Sequence, residues 1–300
     1  MTVQNLGNTT ANIIYTIGDA QTYGNVSEQS LRYKKYNTST WNTFSFNGQN
    51  SGKFTLNPGE AAKIKCNYKA QPNSLVGYKD KLFVTDASNV RVYGNILSMR
   101  LSDDFINNIS NTSTTFYFLN YFEACGFTDA ENLVLPRGYK NLNSMFYNST
   151  SLVKAPKTLN DYGNASYCNL MFYNCTSLTN PPVLPATTLT DSCYNGMFEG
   201  CTSLVNAPEL PATTVVRYVN GNWVGKYCYR EMFKGCTSLV NAPELPALSL
   251  LPDNLYTTSS SGVYIKMFYG CSSLSTVKAM FTRFKKFEGY EDDDDLYQWL

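Results

Sequence analysis

The sequence predicts a mixed α/β fold in two parts: an N-terminal all-β sandwich-like domain and a C-terminal repeat solenoid with one short helix and one short strand per repeat. Two observations lead to this prediction. A phrase opening on Met-Phe recurs through the second half of the chain, and short strand-forming runs separated by Gly, Asn, Pro and Asp clusters fill the first part. The predicted divisions are a β-sandwich-like attachment domain (1–95), a capping or linker segment with a first degenerate repeat (96–138), the solenoid (139–284) and an acidic-aromatic tail (285–300).

The repeats are marked by Met-Phe pairs that stand 26, 26, 35 and 35 residues apart. Two of these spacings exceed the others by nine residues although the flanking phrase is unchanged, so the extra residues are expected to loop out of a repeated scaffold. The insertions lie around 216–226 and 253–262, and a weaker copy of the phrase lies upstream at 121–137. The pairs are Met145-Phe146, Met171-Phe172, Met197-Phe198, Met232-Phe233 and Met267-Phe268.

One unit shows how each repeat is expected to fold. Tyr194, Met197, Phe198 and Cys201 follow the i, i+3, i+4, i+7 spacing of one helical face. The later part of the unit, NAPELP, holds two prolines that exclude a helix and suit a short strand at an edge. The sequence therefore predicts a short helix, a turn, a short strand and a turn in each unit.

The spacing Phe-x-x-Cys-x-x-Leu, as in Phe172, Cys175 and Leu178, recurs in the next three units. It resembles the BspA-like leucine-rich repeat family of bacterial surface proteins and gut-phage virion proteins, over roughly residues 115–282. The resemblance implies a leucine-rich-repeat solenoid but says little about the ligand, because such repeats bind many kinds of partner. Four Phe and four Cys side chains are expected to form an interior structural ladder: Phe172, Phe198, Phe233, Phe268, Cys175, Cys201, Cys236 and Cys271.

Three interpretations are open for the nine cysteines. They are small buried thiols that donate hydrogen bonds to turn carbonyls, or disulfide partners, or zinc ligands. The odd number of cysteines and the parallel direction of stacked Cβ vectors weigh against bridges, and the absence of His and of Cys-x-x-Cys weighs against zinc.

The first 95 residues contain seven candidate strands. Alternation of apolar and polar residues is visible at 54–56 and 64–68, and the sequence Asn-Pro-Gly-Glu at 57–60 is typical of a turn. Short strands with frequent turns favour a sandwich. The candidates are 11–17, 31–36, 40–46, 53–56, 61–68, 81–85 and 89–93.

Composition limits the chemistry that this chain can perform. It has no histidine, which removes the usual general base and the Ser-His and Cys-His nucleophile pairs, and no P-loop, GxSxG or HExxH motif is present. The formal net charge of +1 gives no electrostatic reason to expect nucleic-acid binding. The sequence contains no run of about 18 apolar residues, the length that a membrane span needs. We therefore expect no catalytic residue, no cofactor, no metal, no nucleic-acid partner and no membrane insertion. Glu209 and Glu244 repeat at one position, which leaves a glycan-acting enzyme as a remote alternative.

Aromatic residues in the insertions are the candidate binding residues: Tyr218, Asn222, Trp223, Tyr227 and Tyr256. Exposed Trp and Tyr stack on sugar faces and on partner side chains, although these loops have the alternative of packing on the solenoid. The tail is either a solvated segment, a docking peptide through Leu296, Tyr297, Trp299 and Leu300, or a calcium-binding acidic run.

The expected function is that of a non-enzymatic structural or adhesive phage protein, of fibre or decoration type, located in the virion. The resembling repeats face the outside, no export signal is visible, and virion proteins leave the cell by lysis. Expected partners are other virion or surface proteins, copies of itself, and a host surface glycan or protein. The alternative is a bacterial cell-surface adhesin or binding module.

Overall fold

The chain forms strands and tight turns in a computed structural model that describes residues 1–16, 31–44, 51–66, 80–96, 98–101, 118–135, 142–157, 159, 168–213, 217–219, 222–245, 263–264 and 266–274. The strands are β1 (Thr2–Asn5), β2 (Ala11–Thr16), β3 (Leu31–Lys35), β4 (Asn42–Thr43), β5 (Ser51–Leu56), β6 (Ala61–Cys66), β7 (Lys81–Thr85), β8 (Val90–Asn95), β9 (Leu133–Val134), β10 (Arg217–Val219) and β11 (Asn222–Val224). A single helical turn, α1 (Ser98–Leu101), follows β8.

The N-terminal strands form two sheets. One has the order β4-β3-β6-β1-β8-β9 and the other the order β5-β2-β7, and every pair is antiparallel except β8 with β9. Strands β2–β8 fall within or overlap the seven candidate runs, whereas β1 was not predicted. β1 lies inside the larger sheet, where Val3 pairs with Ala62 on β6 and with Val92 on β8.

The two sheets share one apolar core. Tyr33 on β3 stacks on Phe54 of β5 with ring centroids 4.0 Å apart, and Phe44 meets Tyr33 and Phe54 edge-on. Alternation along each strand produces this core, because side chains of one parity point inward: β2 buries Ala11, Ile13 and Tyr15 and leaves the residues between them partly exposed.

The repeats are built from consecutive tight turns. In one unit Ser192, Gly196 and Gly200 have φ of 55°, 57° and 74°, so every fourth residue is left-handed. The equivalent residues in the preceding unit, Leu170 and Asn174, have φ of 53° and 55° although neither is glycine. A left-handed residue at each fourth position is incompatible with an α-helix.

Backbone hydrogen bonds alternate along these turns. The Met197 and Glu199 N–H groups donate three residues back, to Tyr194 and Gly196 carbonyls, both at 3.2 Å. The N–H groups between them donate to the next unit: Gly196 to Arg230 at 2.8 Å and Phe198 to Met232 at 2.9 Å. Each unit is therefore joined to the next as neighbouring strands of a sheet are joined.

The prediction of a mixed α/β fold with a helix and a strand in every repeat is wrong. The segments expected to be helical are runs of turns, and the expected strands are single parallel bridges, such as Asp129 with Lys154 and Lys154 with Asn180. The only helix among the described residues is the one-turn α1, which lies outside the repeats. The structure is nearly all β, a two-sheet region followed by a stack of turn units.

The first turn unit, 118–135, is joined directly to the sheets. The Leu82 N–H on β7 donates to the Tyr121 carbonyl at 2.9 Å, and the Val92 N–H on β8 donates to the Asp129 carbonyl at 2.8 Å. Gly126 makes this approach possible, because a Cβ there would lie 2.4 Å from the Val84 carbonyl oxygen. The apolar interior of the stack is thus covered at this end by both N-terminal sheets.

Candidate functional site

The interior of the stack is a column of parallel phenyl rings. Successive rings from Phe122 to Phe268 have centroid separations of 5.2, 5.4, 5.6, 5.6 and 5.7 Å, and the last three pairs lie within 6° of parallel. All six rings are at most 2 % exposed: Phe122, Phe146, Phe172, Phe198, Phe233 and Phe268. The Phe position serves packing and is closed to ligands.

The repeated cysteines form a second column beside the rings. The thiol of Cys175 donates to the Phe146 carbonyl at 3.1 Å, and that of Cys201 donates to the Phe172 carbonyl at 3.2 Å. Cys236 and Cys271 each donate in the same way at 3.0 Å, to Phe198 and Phe233 carbonyls. The eight cysteines with described side chains are free and buried: Cys125, Cys168, Cys175, Cys193, Cys201, Cys228, Cys236 and Cys271.

Burial makes these thiols poor nucleophiles. Desolvation raises the pKa of Cys125 and of Cys271 to about 11, and that of Cys193 to about 12. Because the thiolate is the reactive form, thiols with raised pKa values in a dry column are inert near neutral pH. The thiols of this column join successive units through their hydrogen bonds.

The first insertion forms a hairpin at the edge of the stack. β10 pairs with β11, with Tyr218 opposite Trp223 and Val219 opposite Asn222. These pairs bring three of the predicted binding residues, Tyr218, Asn222 and Trp223, together beside the hairpin tip.

One carboxylate fixes the base of this hairpin. The N–H groups of Gly225 and Lys226 both donate to Asp191 Oδ1, the latter at 2.9 Å. Tyr227 follows directly, with φ of 56° and its ring 5.7 Å from the Arg230 guanidinium carbon. Tyr227 is half-buried at the base and Asp191, absent from the sequence-based set, holds the loop. Tyr256 and the second insertion lie outside the described residues.

The stack also exposes a valine at one repeat position. Val205 and Val240 occupy the same position on successive units and are 44 % and 40 % exposed. Asn206 and Asn241 form a parallel bridge beside them. Glu209 and Glu244, the repeated carboxylates, are both exposed.

A second surface, on the N-terminal sheet, was not predicted from the sequence. Arg32 and Lys34 on β3 stand opposite Lys65 and Lys63 on β6. The alternation of cations with Leu31, Tyr33, Ala62 and Ile64 was visible in the sequence. The four cations become neighbours only through the pairing of β3 with β6, which joins residues about thirty positions apart. The sequence did not show this pairing.

Within the described part of the chain, no group of three or more Cys, Asp, Glu or His side chains could hold a metal ion. No helix found there has the length and apolar character to cross a membrane. Comparisons with protein-family models, with curated proteins and with solved structures gave no match.

Proposed function

We propose that this protein is a non-enzymatic structural and adhesive protein of a phage particle, which presents the inserted hairpin on a rigid stack of turn units. The particle location is supported by the resemblance of the repeated phrase to BspA-like repeats and by the outward-facing role of such repeats. The display role is supported by the geometry of the stack.

The observation that carries the display role is the unbroken register across the insertions. In the 26-residue units, donor and acceptor of the bonds between units are 25 residues apart, as in Leu170 to Asn195 at 2.9 Å. Across the two insertions they are 34 apart, as in Tyr194 to Cys228 and Tyr229 to Val263, both at 3.0 Å. The extra residues of the first insertion are therefore excluded from the scaffold and displayed at its side.

Rigidity of the scaffold favours binding through the hairpin tip. Each unit is held to the next by backbone hydrogen bonds and a stacked ring, so a loop anchored through Asp191 loses little further freedom when it binds. Tyr and Trp at such a tip provide contact area for a sugar face or a protein side chain.

Loss of adhesion in Trp223→Ala is the test of the display role. Purified protein is applied to intact host cells and to a glycan array, and retained protein is measured against Tyr269→Ala, which removes an exposed ring from a turn unit away from the hairpin. We expect Trp223→Ala to lose binding and Tyr269→Ala to keep it. Equal binding by Trp223→Ala and the unaltered chain would refute the hairpin as the adhesive site.

The second candidate is a bacterial cell-surface adhesin, which the same resemblance and the same displayed hairpin support. Immunogold labelling separates the two locations. Label on purified phage particles supports the virion protein, label confined to the cell envelope supports the adhesin, and label on neither contradicts both.

A further inference from the structure

The outer face of the larger sheet carries a compact group of cations. In the β3–β6 register Lys34 lies directly opposite Lys63 and Arg32 opposite Lys65. Like charges opposite one another destabilise a sheet, so a ligand of opposite charge would relieve a cost of this arrangement. We name these four residues the basic face.

Three of these cations have no carboxylate partner in the described part of the chain. The Lys34 ammonium lies 5.7 Å from the Trp41 ring centroid, and the Lys63 ammonium lies 5.6 Å from that of Tyr36. Arg32 and Lys63 are exposed. The neighbouring Lys35 is paired with Glu60 at 2.7 Å, so the charge of that carboxylate is already balanced.

A cleft of about 430 Å³ lies beside the basic face. Its lining includes Tyr36, Tyr93, Gln4 and Glu60, whose carboxylate is paired with Lys35. Tyr36 is 57 % exposed, so an aromatic wall and a group of cations are presented together on one face. This combination suits a peptide that carries carboxylates next to an aromatic side chain.

The sequence contains such a peptide at residues 291–295, five consecutive carboxylates followed by Leu296, Tyr297 and Trp299. These residues lie outside the described part of the chain. We propose that the acidic segment 291–295 of one copy binds the basic face of a second copy, with the following aromatic residues against the cleft.

Reach favours a second copy over the chain's own segment. The first and last stacked rings are separated by five steps of 5.2–5.7 Å. Beyond the first unit, β8, β1 and β6 follow one another as neighbouring strands. With strands about 4.8 Å apart, the basic face lies on the order of 40 Å from the last described unit. Residues 275–290 span about 55 Å only when fully extended, and any turn within them shortens that reach. A span of about 40 Å is close to twice the roughly 22 Å r.m.s. length of a flexible 16-residue segment, so binding within one chain is disfavoured, whereas binding between copies has no such constraint.

The contact joins unlike surfaces, so it is head-to-tail and propagates from copy to copy. Its strength should fall with salt, because exposed charges are screened within about 10 Å at 0.1 M ionic strength. Both features are measurable with the full chain by sedimentation velocity over a range of protein concentrations.

Charge reversal tests the pairing. The variant R32E/K34E/K63E reverses the basic face, and D292K/D293K/D294K/D295K reverses the acidic segment. Each variant alone should associate at least about tenfold more weakly than the unaltered chain. An equimolar mixture of the two should associate again, because each copy then meets a partner of opposite charge.

Lys53→Glu is the control for charge reversal on the basic face, since Lys53 is an exposed cation on the other sheet. It should leave association unchanged, and circular dichroism should show that all variants are folded. Association of both reversed variants at the level of the unaltered chain, or failure of their mixture to associate, overturns the proposal.

Carbodiimide cross-linking of a mixture of ¹⁵N-labelled and unlabelled chains identifies the occupant. We expect cross-links between Lys34 or Lys63 and residues 291–295 in which the two peptides carry different isotopes. Cross-links confined to one isotope assign the face to the chain's own segment. Absence of cross-links together with retention on an immobilised polyanion assigns it to an outside acidic ligand, and either result overturns the proposal.

Discussion

At the scale of the residue, the repeated cysteine completes the hydrogen bonding of a buried carbonyl. The Phe172 carbonyl accepts from the Cys175 N–H of its own unit at 3.1 Å and from the Cys201 thiol of the next at 3.2 Å. In the second unit, 142–157, Ser149 takes the same position, and its hydroxyl donates to the Phe122 carbonyl of the first unit at 2.8 Å. The position therefore requires a small side chain with a donor.

Cys201→Ser should change the free energy of unfolding by less than about 1 kcal/mol, because a hydroxyl can make the same bond. Cys201→Ala removes the donor and leaves a small void, so it should cost about 1–2 kcal/mol. Urea denaturation of the two variants measures the difference. A serine variant less stable than the alanine variant would contradict this role for the thiol.

The buried thiols also give the stability a pH dependence. The folded-state pKa of Cys125 and of Cys271 is about 11, above the ordinary value of 9.0. Between these values the unfolded chain loses thiol protons while the folded chain keeps them, so stability is complete below about pH 9 and falls as the pH rises toward 11.

The urea concentration at the unfolding midpoint should accordingly decrease when it is measured at successive pH values from 8 to 10. Cys125→Ser removes one of these thiols and is the control, so it should show a shallower decrease. A midpoint that does not change with pH would show that the thiols are hydrated in the folded state.

At the scale of the element, the repeat shows how far a short periodic pattern can be interpreted. Tyr194, Met197, Phe198 and Cys201 are all buried, as their spacing predicted. Their backbone is nevertheless not helical. The sequence could not show this, because a period of four residues differs from the helical period of 3.6 by only about 40° per turn, and eight residues are too few to distinguish the two periods. Glycine content was no guide either, since Leu170 and Asn174 are left-handed where Gly196 and Gly200 stand in the next unit.

The inserted hairpin depends on a residue that no motif marks. Asp191 accepts two N–H groups that lie 34 and 35 residues later in the chain, so its role depends on the stacking of two units. Sequence reasoning located the insertion from the broken period and its aromatic residues from composition. The sequence alone did not identify Asp191 as the residue that anchors the hairpin.

Asp191→Ala should loosen the hairpin, because the Gly225 and Lys226 N–H groups lose their acceptor. Limited proteolysis within 217–224 should become several-fold faster, while the unfolding midpoint changes little because the hairpin lies outside the stack. Asp191→Asn keeps the accepting Oδ1 and should behave as the unaltered chain does. Equal cleavage rates in all three proteins would place the anchor elsewhere.

At the scale of the whole molecule, the N-terminal strands and the repeats form one continuous hydrogen-bonded structure. Most N-terminal strands were predicted from alternation and turn residues, but their order was not, because β1 pairs with β6 and β8 across about sixty and ninety residues. The joining of β7 and β8 to the first turn unit is equally non-local. An exposed stack end needs a lid, and the two sheets provide it.

Gly126→Ala tests whether this junction makes the molecule cooperative. The added Cβ would lie 2.4 Å from the Val84 carbonyl oxygen and 3.2 Å from its carbon, so the backbone at the junction must move, at a cost of about 1–3 kcal/mol. Gly235→Ala is the control, because its Cβ would have no neighbour closer than 3.8 Å and only the left-handed φ opposes it. Amide hydrogen exchange reports the opening free energy in β2 and at Phe198 separately. If the sheets and the stack unfold together, Gly126→Ala lowers both values by the same amount and by more than Gly235→Ala does. A decrease confined to one part would show that the sheets and the stack unfold independently despite their shared hydrogen bonds.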